Sequence, residues 1–373
     1  MNLIYLANQR LPTEKAYGIQ IVKMCETFSV RGMDVELVIP TRKNPIDKTI
    51  FEYYGVRNNF KVKKIFSPDF YFPGKLDKIA FLIKNFLSAF ILSAYVLLKT
   101  PDIIFSRDEF LIYILSFFKK NLIFEAHKFS PRRAGLYRRF NKAGIKIITI
   151  SRGLKDEFVK FGFDSDSILV AHDGVDLEEF VINIDKIEAR KRVGLPANKK
   201  IVLYSGQLFE WKGADILAEV AALVEDTLFV FVGGLGGDLV RFKKKFGTRA
   251  NVLILGQKPH REIPYFLKAA DVLVLPNKKD GGASEFYTSP LKLFEYMASQ
   301  KPIVASDLPA LREILNENNS FLVNPDDVSC FANGVVKVLS DNVLADGISK
   351  KAFEDVGKYA WEKRAERIIN FIQ

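Results

Sequence analysis

Cysteine is nearly absent from this 373-residue chain: Cys25 and Cys330 are the only two, far apart and in no CxxC or other metal-ligand spacing. This excludes a disulfide-stapled framework and a zinc ribbon, and it fits a reducing compartment. Histidine is equally scarce, at three residues. The opening MNLIYLANQR has no basic leader, apolar core or small-residue cleavage site, so a secretory signal is not expected and a cytoplasmic location is. The most apolar stretch, residues 78 to 99, is interrupted by Lys84 and Asn85 before the ~18 uninterrupted apolar residues of a spanning helix. A buried or membrane-surface helix is expected there. Repeats, low-complexity tracts, a GxxxxGK[ST] loop and an obvious DxD motif on a suitable loop are also lacking.

What is present is ordinary globular material, 48% hydrophobic and 27% charged, rich in Phe at 32 residues. The length favours two domains over one. The net charge of +11 is uneven: residues 1 to 176 carry 28 Lys/Arg against 18 Asp/Glu, and residues 177 to 373 carry 27 against 26. From Lys128 to Lys146, seven basic residues occur without a single acidic one, which suggests an anionic neighbour for the first half.

Short β-branched runs alternate with segments of helical period, the pattern of βαβ units and parallel sheets. Strands are expected near 2 to 7, 34 to 40, 60 to 65, 103 to 106, 121 to 126 and 146 to 151. A second series is expected near 201 to 205, 227 to 232, 252 to 256, 272 to 276, 302 to 306 and 320 to 323. A polar stretch from Asp176 to Lys200 separates the series. The fold class is therefore α/β, with a first domain over 1–178, a second over 179–356, and a C-terminal helix over 357–373 packing back on the first.

In such sheets, ligands bind beyond the carboxyl ends of the strands. The residues found there are small or polar: Gly18 and His127 in the first domain, then Ser205, Gly206, Gln207, Gly233 and Gln257 in the second. The segment YSGQLFEWKGADIL (204–217) sets a glycine turn after a strand and Lys212 just before a helix, a place suited to phosphate. In TSPLKLFEYMASQKPIVASD (288–307), Ser289 has the chemistry of an N-cap and Pro290 that of a first helical residue, followed by Leu291. Lys292 then falls in the first turn, where the helix dipole disfavours a cation unless an anion is present. Glu295, among Leu293, Phe294, Tyr296 and Met297, needs a partner: a sugar or ribose hydroxyl, or a salt bridge. The run Gly233 to Gly237 reads either as a phosphate-cradling loop or as a flexible turn.

Together these segments resemble the retaining glycosyltransferases of family 4, which have the GT-B fold of two facing Rossmann-like domains with an interdomain cleft. The resemblance runs nearly end to end, through FEAH (124–127), ITISRGLKDEF (148–158), ILVAHDGVDLEEF (168–180), YSGQLFEWKG (204–213), FVFVGG (229–234), ILGQKPHREIPYFLKAADVLVLP (254–276), SPLKLFEYMASQKPIVASDLPALREIL (289–315) and YAWEKRAERI (359–368). It implies that Lys212 binds the donor diphosphate, that Glu295 holds the nucleotide ribose, and that His127 lies at the donor sugar. It also implies that Gly18 approaches the diphosphate and the acceptor, and that Gln257 and Lys258 frame the base. Three positions depart from the family pattern. Tyr287 stands where the first glutamate of E-x7-E is usual, with Glu285 two residues upstream; Gln207 replaces an arginine, for which Lys292 is expected to compensate; and Asp173 replaces an asparagine.

The expected reaction is retaining, metal-independent transfer of a hexose-type sugar from a nucleoside-diphosphate sugar, with no cofactor. Lys212, Lys292 and backbone N–H groups would stabilise charge on the leaving diphosphate. The basic first domain suits an acceptor glycan or lipid-linked sugar at the inner face of an anionic membrane. Rival readings are a sugar-nucleotide epimerase, a phosphorylase or a non-catalytic sugar-nucleotide sensor of the same fold. A nucleic-acid-binding protein is disfavoured because no recognised module appears.

Overall fold

A computed structural model of the chain describes residues 1–72 and 74–373. Its contacts divide it into two units, Met1–His172 with Trp361–Gln373, and Asp173–Ala360.

The first unit is built on seven parallel strands: β1 Asn2–Leu6, β2 Asp34–Pro40, β3 Lys61–Ile65, β4 Ile103–Ser106, β5 Leu122–Ala126, β6 Lys146–Thr149 and β7 Ile168–Val170. They lie in the order β3-β2-β1-β4-β5-β6-β7, so the order reverses between β1 and β4. Strands β4 and β5 are buried along their whole length, which is why they read as continuous apolar runs rather than alternating ones. Strand β7 was not anticipated. It is three residues long and only partly buried, too short to show a period.

The terminal helix Trp361–Ile372 belongs to this unit. It buries Trp361, Arg364, Ala365 and Ile368, spaced along one helical face, and packs on the helix Ala16–Val30. Lys146 Nζ donates to the Phe371 carbonyl at 2.7 Å and ties down its end.

The second unit has six parallel strands: β8 Lys200–Ser205, β9 Thr227–Val232, β10 Val252–Gly256, β11 Val272–Leu275, β12 Ile303–Ser306 and β13 Phe321–Val323. Their order is β10-β9-β8-β11-β12-β13, again reversing at the first strand of the series. Alternate residues feed opposite faces: Leu203, Val230 and Leu273 enter one apolar cluster, while Val202, Phe229 and Val274 enter the other.

The polar stretch 176 to 200 is not an open linker. It contains the helices Leu177–Phe180 and Lys186–Val193, and the second of these packs on the helix Ile263–Ala269. Arg190 explains the docking: it is 3% exposed, donates to the Ala269 carbonyl at 2.9 Å and pairs with Asp271 at 2.7 Å.

The helix 77–97, in contrast, lies at the surface. Lys84, which interrupts its apolar run, is the buried side, 3.2 Å from Asp69 and 3.6 Å from the centre of the Tyr71 ring. Phe81, Leu82, Phe86 and Phe90 face outward, each 48–67% exposed. By length and composition this is the one helix among the described residues able to cross a membrane.

Candidate functional site

In the second unit, the candidate residues gather past the carboxyl ends of β8 and β9 and on the helix Leu291–Ala298. Strand β8 ends at Ser205, whose N–H donates to the Tyr296 hydroxyl at 2.7 Å and whose Oγ lies 3.2 Å from the same oxygen. The chain then turns through Gly206 at φ +132°, a value that L side chains rarely adopt. Gly233, at the end of β9, packs so closely that a Cβ there would stand 2.1 Å from the Gly206 carbonyl oxygen.

Those glycines serve packing rather than phosphate recognition by their own N–H groups. Gly206 N–H donates to the Val232 carbonyl at 2.8 Å and Gly233 N–H to the Gly256 carbonyl at 2.7 Å. The Lys292 side chain runs beside this turn. A Cβ on Gly206 would lie 3.9 Å from Lys292 Nζ.

Lys292 is 7% exposed, and its ammonium has no hydrogen-bond partner among the described residues. The face of Tyr204 lies against it, with Nζ 3.8 Å from the ring centre. Burial, then the Lys212 charge, hold its pKa well below the ordinary lysine value. Lys212 ends the short turn Glu210–Lys212, ahead of the helix Ala214–Val220, and burial brings its pKa down to about 8. Two lysines that repel each other, one of them buried and without a hydrogen-bond partner among the described residues, have the electrostatics to favour an anion of more than one charge.

The helix carrying Lys292 begins at Leu291, with Pro290 in the cap position. Ser289 is therefore not its N-cap, because its Oγ is occupied by the backbone N–H of Asp173 at 2.9 Å. The cap oxygen has been spent on a distant segment, and the first-turn N–H groups carry no side-chain cap.

Glu295, one turn further on, is 9% exposed. Its partner is His260, which the sequence did not single out: Nε2 lies 3.0 Å from Glu295 and Nδ1 3.0 Å from Glu179. Both ring nitrogens face carboxylates, so despite its burial the pKa of His260 rises to about 10 and it is an imidazolium at neutral pH. Oε2 of Glu295 is left for a further donor.

Glu285, the alternative first acidic residue, is 7% exposed and already accepts from the Gly281 N–H at 3.0 Å. Gln207 turns its carbonyl to the Tyr204 hydroxyl, 2.7 Å away. Gln257 is exposed and Lys258 half-buried just beyond β10. Among the described residues, no three His, Cys, Asp or Glu side chains gather as metal ligands.

In the first unit, His127 follows β5 directly. Its Nε2 stands 3.2 Å from Glu125, and burial together with the Arg107 charge brings its pKa down to about 4. The histidine is therefore neutral. Gly18 lies in the first turn of the helix Ala16–Val30, where a Cβ would come within 2.0 Å of the Tyr54 hydroxyl oxygen; close packing requires glycine at that position.

Two parallel Rossmann-like sheets, each with its candidate residues past the carboxyl ends of its strands, define a GT-B protein. The family model for glycosyl transferases group 1 matches residues 185–355, and the model for Glycosyltransferase Family 4 matches residues 18–179. The chain belongs to the group 1 glycosyltransferases of GT-B fold. It is 29% identical over 238 residues to an uncharacterized glycosyltransferase of Methanocaldococcus jannaschii, covering 60% of this chain and 59% of that one. It is 31% identical over 192 residues to the UDP-Gal:alpha-D-GlcNAc-diphosphoundecaprenol alpha-1,3-galactosyltransferase of Escherichia coli, covering 48% and 47%. The chain thus spans about half to three-fifths of the length of these relatives. Among solved structures, Anabaena HepE in complex with UDP superposes with a TM-score of 0.76 at 18% identity, covering 99% of both chains.

Proposed function

We propose that this protein transfers a sugar from a nucleoside-diphosphate sugar to a lipid-linked or glycan acceptor, with retention of configuration and without a metal ion. The observation that carries this reading is the buried, unpartnered ammonium of Lys292 beside Lys212. A diphosphate supplies the two or more negative charges that such a pair lacks. The E. coli relative acts with UDP-Gal and HepE was captured with UDP, so UDP is the first nucleotide to test.

In this reading, Lys212 and Lys292 stabilise the charge that grows on the leaving diphosphate, a preorganised electrostatic contribution of the oxyanion-hole type. Glu295, oriented by His260, accepts from the ribose hydroxyls. The bond from the anomeric carbon to the phosphate oxygen breaks as the acceptor oxygen bonds to the same face, and the acceptor proton passes to the leaving phosphate. Gln257 and Lys258 border the base, and His127 with Gly18 serves the sugar and acceptor end.

The acceptor side of the proposal rests on the exposed apolar face of the helix 77–97. With an exposed apolar face on a basic unit, peripheral contact with an anionic membrane follows, and with it a place at the cytoplasmic face. The test is transfer of label from UDP-sugars to lipid-linked acceptors in the presence of EDTA. Release of UDP coupled to acceptor glycosylation supports the reading, whereas interconversion of the UDP-sugars without release would assign an epimerase instead.

A further inference from the structure

Glu125 is a carboxylate inside an apolar strand, fully buried and held by four donors. Gln20 Nε2 and Arg364 Nη2 each lie 2.6 Å from Oε1, His127 Nε2 lies 3.2 Å from the same oxygen, and the Tyr5 hydroxyl lies 3.3 Å from Oε2. Arg364 comes from the terminal helix Trp361–Ile372 and is 3% exposed. It is fixed further by bonds from Nε to the His172 carbonyl at 2.8 Å and from Nη2 to the Ala171 carbonyl at 3.2 Å. An arginine in the last dozen residues thus places a formal charge in direct contact with the carboxylate that holds the neutral His127.

We infer that Arg364 is a positioning residue for His127: by neutralising Glu125 it keeps the imidazole uncharged, with Nε2–H donated to the carboxylate and Nδ1 left as a bare acceptor. The inference deepens the proposed function and rests on it for the use made of that acceptor, a hydroxyl of the bound sugar. The chain of contacts itself does not depend on it.

The electrostatics run in one direction. The groups facing His127 are Glu125 on β5, Arg107 after β4 and Arg364 on the terminal helix; Gln20, from the helix Ala16–Val30, joins Arg107 to the cluster through a bond of 2.8 Å. Burial and the two arginines disfavour the imidazolium, and the carboxylate favours it. With Arg364 neutralised, Glu125 faces the ring with less opposition, and the imidazolium becomes accessible at mildly acidic pH. Nδ1 then carries a proton and can no longer accept.

Three histidines in the whole chain make the test direct. Isotope-labelled histidine in the full-length protein is titrated by NMR from pH 8 to 5, alongside turnover of UDP-glucose as the probe donor. The parent His127 is expected to stay neutral with Nε2 protonated. In Arg364→Met its midpoint rises by about one unit or more from about 4, so that about half or more of the ring is protonated at pH 5, and kcat falls about twofold or more towards that pH with KM altered less than about twofold. Arg364→Lys restores both. If Arg364→Met fails to fold, Arg364→Gln, which keeps a donor without the charge, gives the same shift. A parent His127 titrating near its ordinary value, or a folded variant with an unmoved midpoint, overturns the inference. Absence of UDP-glucose turnover in the parent tells against the proposed function, and the titration still decides the coupling.

Discussion

Lys292 Nζ lies 3.8 Å from the centre of the Tyr204 ring and hydrogen-bonds to none of the described residues. A lysine in that state costs the empty protein stability, because burial penalises its charge and only a quadrupole answers it. Lys292→Met should therefore stabilise the ligand-free protein by about 1–4 kcal/mol while lowering UDP affinity at least tenfold. Chemical denaturation and calorimetry read the two effects, and a variant that loses stability would remove the case for an anion site.

Lys212 gives the site a pH dependence. Its folded pKa of about 8 lies below the unfolded lysine value, so between about 8 and 10.5 the unfolded chain binds more protons. Its burden on stability is therefore full below pH 8 and is relieved as pH rises through that window. Binding of a diphosphate favours the ammonium and takes up a proton, so UDP affinity should fall by up to about tenfold per pH unit above 8. Lys212→Arg, which does not titrate, should flatten that slope. A parent affinity that is level from pH 7 to 9.5 would contradict it.

His260 acts with the opposite sign. Its pKa is raised to about 10, so the stability it contributes is complete below about 6.5, the unfolded value, and is lost as pH rises through 10. His260→Asn leaves Glu295 and Glu179 short of a charged donor and should cost about 1–3 kcal/mol at neutral pH. The difference from the parent should shrink towards pH 10. Donor KM should rise more than kcat falls, because the residue orients a binding group.

Much of this architecture is legible in the residues. Strand β9, TLFVFV, is buried at every position and announces itself as a central strand, and Lys292 is identifiable as a cation at a helix start. Strand β7 and the helices within 176 to 200 are not legible, because their order comes from docking: Arg190 reaches Ala269 and Asp271, contacts no local period reports. His260 and Arg364 escape for the same reason. The signals that could have found them were the carboxylates, since Glu295 in an apolar helix and Glu125 within LIFEA both demand buried partners. Ser289 shows the converse, a residue with the right cap chemistry whose oxygen is claimed by Asp173.

The glycine pair at the ends of β8 and β9 separates packing from flexibility. At Gly233 (φ +124°) a Cβ would meet the Gly206 carbonyl, whereas Gly237 has open space around it. Gly233→Ala should therefore destabilise by about 2 kcal/mol or more and abolish UDP binding. Gly237→Ala should be within about 0.5 kcal/mol of the parent. Equal effects at both positions would show that this run acts as a loop and not as a packed turn.

The central claim is that Lys212 and Lys292 together wait for a nucleoside diphosphate. Its most direct test is isothermal titration of the full chain with UDP in EDTA, at pH 7 and pH 9, for the parent, Lys212→Ala and Lys292→Met. The account predicts binding in the parent without added metal, weaker at pH 9, and lost in both variants while each remains folded. Parent-level binding that persists in either folded variant, or binding that appears only when a divalent cation is added, would contradict it.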